Sequence, residues 1–398
     1  MNEVIIKRGR EKSILNRHPW IFSGSVSRIN GNPDSGETVK ILDYRKEFLA
    51  WGAFSPSSQI RLRVWDWDER TQINSEFFYN RLLSSYKYRK KISKLINATG
   101  DTAHRLVYAE SDDIPGLIVD LYSEILVVQF LSAGVEYWKE EIVSSLTEIT
   151  GINAVVERSD VDVRKLEGLH SRTGIIRGTF EEGNVIIQEN DLKFFVDVNK
   201  GHKTGFYLDQ KENRKIVRSI AQEKRVLDCF CYTGGFTCSA AAGGAKSITS
   251  VDASEEGLSW VNKNLIVNNL GNLDCTLIRE DVFKQLRKFR DSGQAFDLII
   301  LDPPKFAQSA SQIEHASRGY KDINLLALKL LRPGGLLATF SCSGAISEDL
   351  FQKIVTGAAL DANVKTRILK RLSQNYDHPI SLTFPEGAYL KGLLIAVD

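Results

Sequence analysis

The chain has 398 residues, yet no uninterrupted apolar stretch in it is long enough to span a bilayer, which excludes a membrane-crossing helix. Its opening residues, Met1-Asn2-Glu3-Val4-Ile5-Ile6-Lys7, carry an early acid and lack a signal-like apolar core, so a cytoplasmic location and no membrane partner are expected. Five cysteines, three of them crowded at Cys229, Cys231 and Cys238, make no disulfide framework for a chain of this length. The six histidines are scattered, with no pair at ligand spacing beside a third donor, so no metal is expected. Internal repeats and low-complexity tracts are missing too. A net charge of +2 is too small to announce a polyanionic partner by itself.

What is present is distributed unevenly. Lys7, Arg8, Arg10, Lys12 and Arg17 cluster near the start, and Arg81, Lys87, Arg89, Lys90, Lys91 and Lys94 follow in a stretch free of acids. Two basic patches in the first quarter fit contact with a polyanion. Up to about Asp68 the chain reads as short strands separated by turn residues: Val4 to Ile6, Trp20 to Phe22, Thr38 to Leu42, Phe48 to Trp51 and Ile60 to Val64. That grammar predicts a small all-β, barrel-like domain. A helix is expected from Glu76 to Asn97, carrying the second patch. Strands at Arg105 to Tyr108, Leu117 to Asp120, Ile125 to Gln129 and Ala154 to Glu157 surround a helical periodicity of Trp138, Ile142, Leu146 and Ile149, and a hairpin turns at Glu189-Asn190-Asp191.

From about Lys200 strands alternate with helices, the pattern of a parallel sheet covered on both faces. The strands expected are Arg225 to Cys229, Ser247 to Val251, Cys275 to Ile278, Phe296 to Leu301, Leu336 to Phe340, Arg367 to Leu372 and Leu390 to Val397, with helices at Ser254 to Asn268 and Asp322 to Leu331. The fold class is therefore α/β, preceded by a β domain and a small α+β unit. The boundaries expected are 1–74, 75–190 and 191–398.

Within that last region, Asp228-Cys229-Phe230-Cys231-Tyr232-Thr233-Gly234-Gly235 orders a strand end, a turn with paired glycines and a helix start. Glycines allow close backbone approach to a ligand. Asp252 ends the next strand, where a carboxylate can accept both hydroxyls of a ribose, and Asp281 follows the third, suited to an adenine amino group or simply to capping a helix. The dinucleotide fingerprint G-x-G-x-x-G is absent, which argues against a pyrophosphate cradle. Asp228 agrees, because a cationic sulfonium cofactor welcomes negative charge there. Asp228, Phe230, Tyr232, Gly234, Gly235, Asp252, Asp281 and Asp302 are the expected contacts of S-adenosylmethionine.

Several long strings identify a family. They are Gly9-Arg10-Glu11-Lys12, His18-Pro19-Trp20-Ile21-Phe22-Ser23-Gly24, Gly201 through Gln210, Tyr232-Thr233-Gly234-Gly235-Phe236, Asp302-Pro303-Pro304-Lys305-Phe306, Arg318 through Asn324, and Phe340-Ser341-Cys342-Ser343-Gly344. With these strings the chain resembles, over nearly its whole length, the bacterial ribosomal RNA large subunit methyltransferase I family of cytosine C5 methyltransferases. The resemblance implies an N-terminal PUA domain for RNA contact, a middle α+β domain related to one in uracil methyltransferases, and a C-terminal Rossmann-like class I methyltransferase domain with a mostly parallel seven-stranded sheet. Large-subunit ribosomal RNA is the partner it implies, and a homodimer is a further option.

Carbon 5 of cytosine is a poor nucleophile, so its methylation calls for prior attack at carbon 6, for which a thiolate is suited. Cys342 is the expected nucleophile, between Ser341 and Ser343 at a strand end; the alternative is a small buried residue. Asp302 is expected to face the base, sharing a proton with ring N3 or bonding the exocyclic amine. The other large RNA cytosine C5 family carries a second cysteine after the proline, whereas here Lys305 follows Pro304. Product release then needs another base, and Glu386 is the candidate by likeness to a late glutamate in uracil C5 methyltransferases. Phe306 or Tyr320 could stack on an extruded base. Arg10, Lys12 and Arg17 are the expected phosphate contacts, with Lys203, Pro303, Pro304, Lys305 and Phe306 near the target nucleotide. The competing readings are a ribosomal RNA guanine methyltransferase in which Cys342 is structural, and a non-catalytic RNA-binding assembly factor.

Overall fold

A computed structural model of the protein describes residues 2–96, 100–180, 184–307 and 309–398. The chain divides into two units: Met1–Ile187 with Val196–Leu208 and Tyr376–Gly387, and Gln188–Phe195 with Asp209–Asn375 and Ala388–Asp398.

The first unit holds two sheets. Six strands pair in the order Trp20–Phe22, Ile60–Asp66, Phe48–Phe54, Thr38–Leu42, Glu3–Ile6 and Val26–Asn30, all antiparallel except Glu3–Ile6 beside Thr38–Leu42. Val4, Ile6, Val39, Ile41, Leu62 and Val64 alternate inward to form their core. Val26–Asn30 is a strand that periodicity did not announce. It lies at the sheet edge with none of its residues fully buried, so no apolar alternation was needed. The second sheet runs Arg172–Arg177, Ala154–Ser159, Ile125–Phe130, Leu117–Tyr122, Ala103–Tyr108. Helices Ser75–Leu95 and Lys139–Thr150 contribute Phe78, Leu82, Ile142 and Leu146 to its core. Ser75–Leu95 starts where the Asn74 side chain accepts from Phe77 N at 3.0 Å, satisfying one orphan amide of the first turn. Its expected last residue, Asn97, lies outside the described residues, as does Met1.

In the second unit seven strands form one sheet: β1 (Arg225–Cys229), β2 (Ser247–Asp252), β3 (Cys275–Arg279), β4 (Phe296–Leu301), β5 (Leu331–Ser341), β6 (Thr366–Ser373) and β7 (Lys391–Val397), in the order β3-β2-β1-β4-β5-β7-β6. All are parallel except β7, which runs antiparallel to both β5 and β6. The centre reads as buried runs, Leu298 to Leu301 in β4, all apolar, and Leu337 to Phe340 in β5, apolar but for Thr339, because helices cover both faces. The order reverses between β1 and β4, and at such a point the carboxyl ends of strands leave a crevice for ligands.

Two expected elements extend further than their patterns suggested. The helix expected from Asp322 spans Ile313–Leu330, its first half disguised by polar residues and Gly319, where an added Cβ would come within 3.3 Å of the Phe306 ring. β5 begins at Leu331 and passes through Pro333-Gly334-Gly335, residues that otherwise mark a turn, with a register irregularity opposite Phe296 to Leu298. No helix among the described residues is long and apolar enough to cross a membrane.

Candidate active site

β1 ends in a loop of unusual backbone. Phe230, Tyr232 and Gly234 all take positive φ, at 62°, 48° and 81°. Two of them are not glycine, so the loop stores on the order of 1–2 kcal/mol per such residue, and the surroundings must impose it. Phe230 N and Cys231 N both donate to Val251 O, at 2.9 and 3.2 Å. Tyr232 N and Ser254 N donate to opposite oxygens of Asp252, each at 2.8 Å. Asn264 Nδ2 donates to Thr233 O at 2.9 Å. At Gly234 a Cβ would sit 2.9 Å from Val261 Cγ1, so this glycine is there for both torsion and space.

Asp228 lies beneath this loop, fully buried. Its Oδ2 accepts from Thr237 Oγ1 at 2.6 Å, and Thr237 also meets Ser250 Oγ at 2.8 Å. Its Oδ1 has no hydrogen-bond partner among the described residues. Burial pushes the carboxyl up to about 7; the neighbouring charges of Asp302 and Asp252 add to this and the Thr237 bond opposes it. An unpartnered, buried, acidic oxygen beside a glycine turn fits the cationic end of S-adenosylmethionine, and Asp252, with one lone pair left on each oxygen, fits a ribose. Asp281 is exposed and caps helix Val282–Asp291 by accepting from Lys284 N at 3.0 Å, so the capping role is realised.

Beside β1, the parallel strands β4 and β5 are followed directly by Asp302 and Cys342, with Leu301 in register with Thr339. Asp302 Oδ1 accepts from Gln210 Nε2 at 2.9 Å, while Gln210 Oε1 accepts from Asn213 Nδ2 at 2.6 Å. A carboxylate is thereby aimed by a chain of amides, and only Gln210 stood in a string singled out from sequence.

The segment after Asp302 is tied to the segment around Cys342. Ala307 N donates to Ser343 Oγ at 3.1 Å, and Tyr320 Oη meets the same oxygen at 3.0 Å. Ser341 and Ser343 are fully buried, whereas Cys342 between them is partly exposed. Lys391 Nζ, buried at the start of β7, donates at 2.8 Å to both Ser343 O and Ile346 O. Burial holds its ammonium below the usual lysine range; proximity to Cys342 and Glu348 opposes that shift, and Lys305 adds to it. Lys391 was not found from sequence, and its only signal is a charge at the head of an apolar strand.

The other thiols are poor nucleophiles. Burial raises Cys229, Cys231 and Cys238 far above the ordinary thiol range and pushes the partly exposed Cys275 up to about 11.

Tyr320 cannot stack on a base: it is completely buried, packed edge-on against Phe351 at 5.7 Å and bonded to Ser343, because its helix turns this face to the core. Phe306 is half-buried against Tyr320, Pro303 is buried, and Pro304 and Lys305 are exposed. Glu386 belongs to the first unit, where both its oxygens approach His18 Nε2 at 3.3 and 3.4 Å. Lys203, also there, lies over the Tyr207 ring at 4.5 Å. Arg10, Lys12 and Arg17 are exposed, with Arg17 over Trp67 at 5.3 Å. Of the second basic patch, Arg81 and Arg89 are spent internally: Arg81 pairs with Asp66 and Asp113, and the buried Arg89 grips Asp112.

A seven-stranded sheet with one reversed strand, a glycine turn after β1 and an acid at the end of β2 define a class I methyltransferase. Residues 171–388 match the family of S-adenosylmethionine-dependent methyltransferases, and residues 4–67 match PUA-like domains. Two curated relatives, from Tolumonas auensis and Aeromonas salmonicida, are each 50% identical over 98% of this chain and 98% of their own, and both are named ribosomal RNA large subunit methyltransferase I. The chain belongs to the ribosomal RNA large subunit methyltransferase I family of S-adenosylmethionine-dependent methyltransferases. Among solved structures, a methyltransferase from Streptococcus mutans shares the fold at a TM-score of 0.85 with 23% identity, each chain covered fully. A second, solved with SAH, does so at 0.85 and 22%.

Proposed function

We propose that the protein forms 5-methylcytosine in large-subunit ribosomal RNA, in the cytoplasm, with Cys342 as nucleophile. The observation that carries this is the contrast among thiols: Cys342 alone of the five is both accessible and placed at the carboxyl end of a sheet strand beside Asp302. The names of the curated relatives supply the RNA class.

The target cytosine leaves its stack, at a cost of a few kcal/mol, before the thiolate can reach it. Cys342 Sγ then adds to carbon 6, and carbon 5 becomes an enamine-like nucleophile. Asp302, aimed by Gln210, bonds the N3 or amino edge as electron density moves into the ring. S-adenosylmethionine, when bound, supplies an electrophilic methyl group; Asp228, Phe230, Tyr232, Gly234, Gly235, Asp252, Asp281 and Asp302 are the residues assigned to it. A base then removes the carbon 5 proton and the sulfur departs. Glu386 is assigned that proton. Arg10, Lys12 and Arg17 hold phosphates, while Lys203 and Pro303 to Phe306 flank the base. The division at 74 and 190 into a PUA domain, a middle domain and a methyltransferase domain belongs to the same reading.

The test uses ribosomal RNA carrying 5-fluorocytidine, whose carbon 5 cannot lose a proton. The wild-type chain should form a covalent adduct stable to denaturing gels, and Cys342→Ala should form none and turn over no unmodified RNA. Full activity in Cys342→Ala, or a methyl group mapped to guanine, would sink the thiol mechanism.

A further inference from the structure

Between Phe77 and Ile96 the chain contains no acid, yet six cations fall there. Helix Ser75–Leu95 sorts them by face. Phe78, Leu82, Ser85 and Arg89 are buried on one side, and Arg89 there donates to Arg105 O at 2.9 Å as well as to Asp112. Lys87, Lys90, Lys91 and Lys94 follow at helical spacing and are all exposed. At about 100° per residue their stripe is centred roughly 160° around the helix from the buried face.

None of the four makes an ion pair with a described residue, whereas Arg81 and Arg89 on the same helix do. Solvated helix faces usually interleave acids at i+3 or i+4. Here the i,i+3 and i,i+4 contacts 87–90, 87–91, 90–94 and 91–94 are all like-charged, each costing about 0.2–0.5 kcal/mol. No acid follows on that face to offset the repulsion; what opposes it is only the helix's negative C-terminal end near Lys94 and a ring beside Lys90. Lys90 Nζ also lies 4.3 Å from the Tyr86 ring centroid, and Tyr88 is 41% exposed, so aromatic surface accompanies the charge. The stripe runs about 10 Å along the helix, at 1.5 Å per residue.

We propose that Lys87, Lys90, Lys91 and Lys94 form a phosphate-contact surface that tracks the backbone of folded RNA, separate from Arg10, Lys12 and Arg17. The choice of RNA among polyanions rests on the function proposed above. Contacts of this kind release counterions, so they are read by the dependence of affinity on salt rather than by affinity alone.

The experiment is a salt titration of full-length protein binding to a transcribed large-subunit ribosomal RNA fragment, comparing wild type with the variant K87Q/K90Q/K91Q/K94Q. The slope of log affinity against log salt should fall in magnitude by about 3, from about 0.7–0.9 per lost phosphate contact. The all-arginine variant should keep the wild-type slope. An unchanged far-ultraviolet circular dichroism spectrum and thermal melt of the glutamine variant establish that the loss is not one of folding of the unit that carries the helix. An unchanged slope overturns the proposal. So does a loss confined to vesicles of anionic phospholipid, with RNA binding intact. If the wild type methylates no cytosine in ribosomal RNA but the slope still falls, the stripe stands and the thiol mechanism fails. Cytosine methylation with an unchanged slope leaves the thiol mechanism standing and removes the stripe.

Discussion

Replacing Asp228 by Asn keeps the shape of the side chain and removes its charge, which separates what the carboxylate does for the fold from what it does for the ligand. In the folded protein burial raises this carboxyl from 3.8 to about 7. The folded state therefore binds the proton more tightly than the unfolded chain. The group's contribution to stability is fully present below about pH 3.8, falls as pH rises, and levels off above about pH 7. About three pK units at 1.36 kcal/mol each give up to about 4 kcal/mol, of which about 3 kcal/mol falls between pH 5 and pH 8. Asp228→Asn should accordingly gain stability over wild type as pH is raised, by up to about 3 kcal/mol more at pH 8 than at pH 5. Urea unfolding at the two pH values measures this. The same variant should lose S-adenosylmethionine binding in calorimetry, and wild-type affinity should weaken below about pH 7, where the apo carboxyl is protonated. An equal stability difference at both pH values would refute the raised pKa, and retained cofactor affinity in Asp228→Asn would refute its role in binding.

Lys391→Met should leave the buried carbonyls of Ser343 and Ile346 without their donor, at about 1–3 kcal/mol each, and remove a cation close to the thiol. Alkylation of Cys342 by iodoacetamide should then require higher pH than in wild type, and an unchanged pH profile would show that Lys391 is only a strut. Gly234→Ala should destabilise the second unit by about 1–3 kcal/mol, through its positive φ and the 2.9 Å approach to Val261. In the Val261→Ala background, which has its own cost for lost buried methyl groups, the further effect of Gly234→Ala should shrink to roughly 1 kcal/mol of torsional cost, as read from thermal melts of the double-mutant cycle.

The strands and the acids near their ends were legible because a parallel sheet demands apolar runs that stop abruptly: Asp228 and Asp302 follow the runs that begin with Val226 and Leu298, and Asp252 follows Val251 in a strand that is β-branched at Ile248, Thr249 and Val251. What pattern could not supply was side-chain direction. Arg81 and Arg89 share a helix with Lys87 and Lys94, yet two faces of one helix gave the arginines partners and left the lysines in water. Tyr320 sits in a string as polar as a binding loop, but the helix began nine residues earlier than its apolar spacing implied and turned the ring inward. Lys391 acts on Ser343 across a long sequence separation, and Asn213 acts on a Gln210 that itself reaches to Asp302; no local rule connects them.

β7 has a consequence for how the enzyme comes into being. It is the last of the seven strands to be synthesised, but it sits between β5 and β6 and pairs Lys391 with Ser341, next to the thiol. Until it arrives, both flanking strands present bare edges. During that interval the growing chain already holds Cys342 without the ammonium that fixes its turn. Order of translation therefore delays the finished turn around Cys342 until β7 has been made, and a chain that stalls before β7 carries an open sheet edge at that turn.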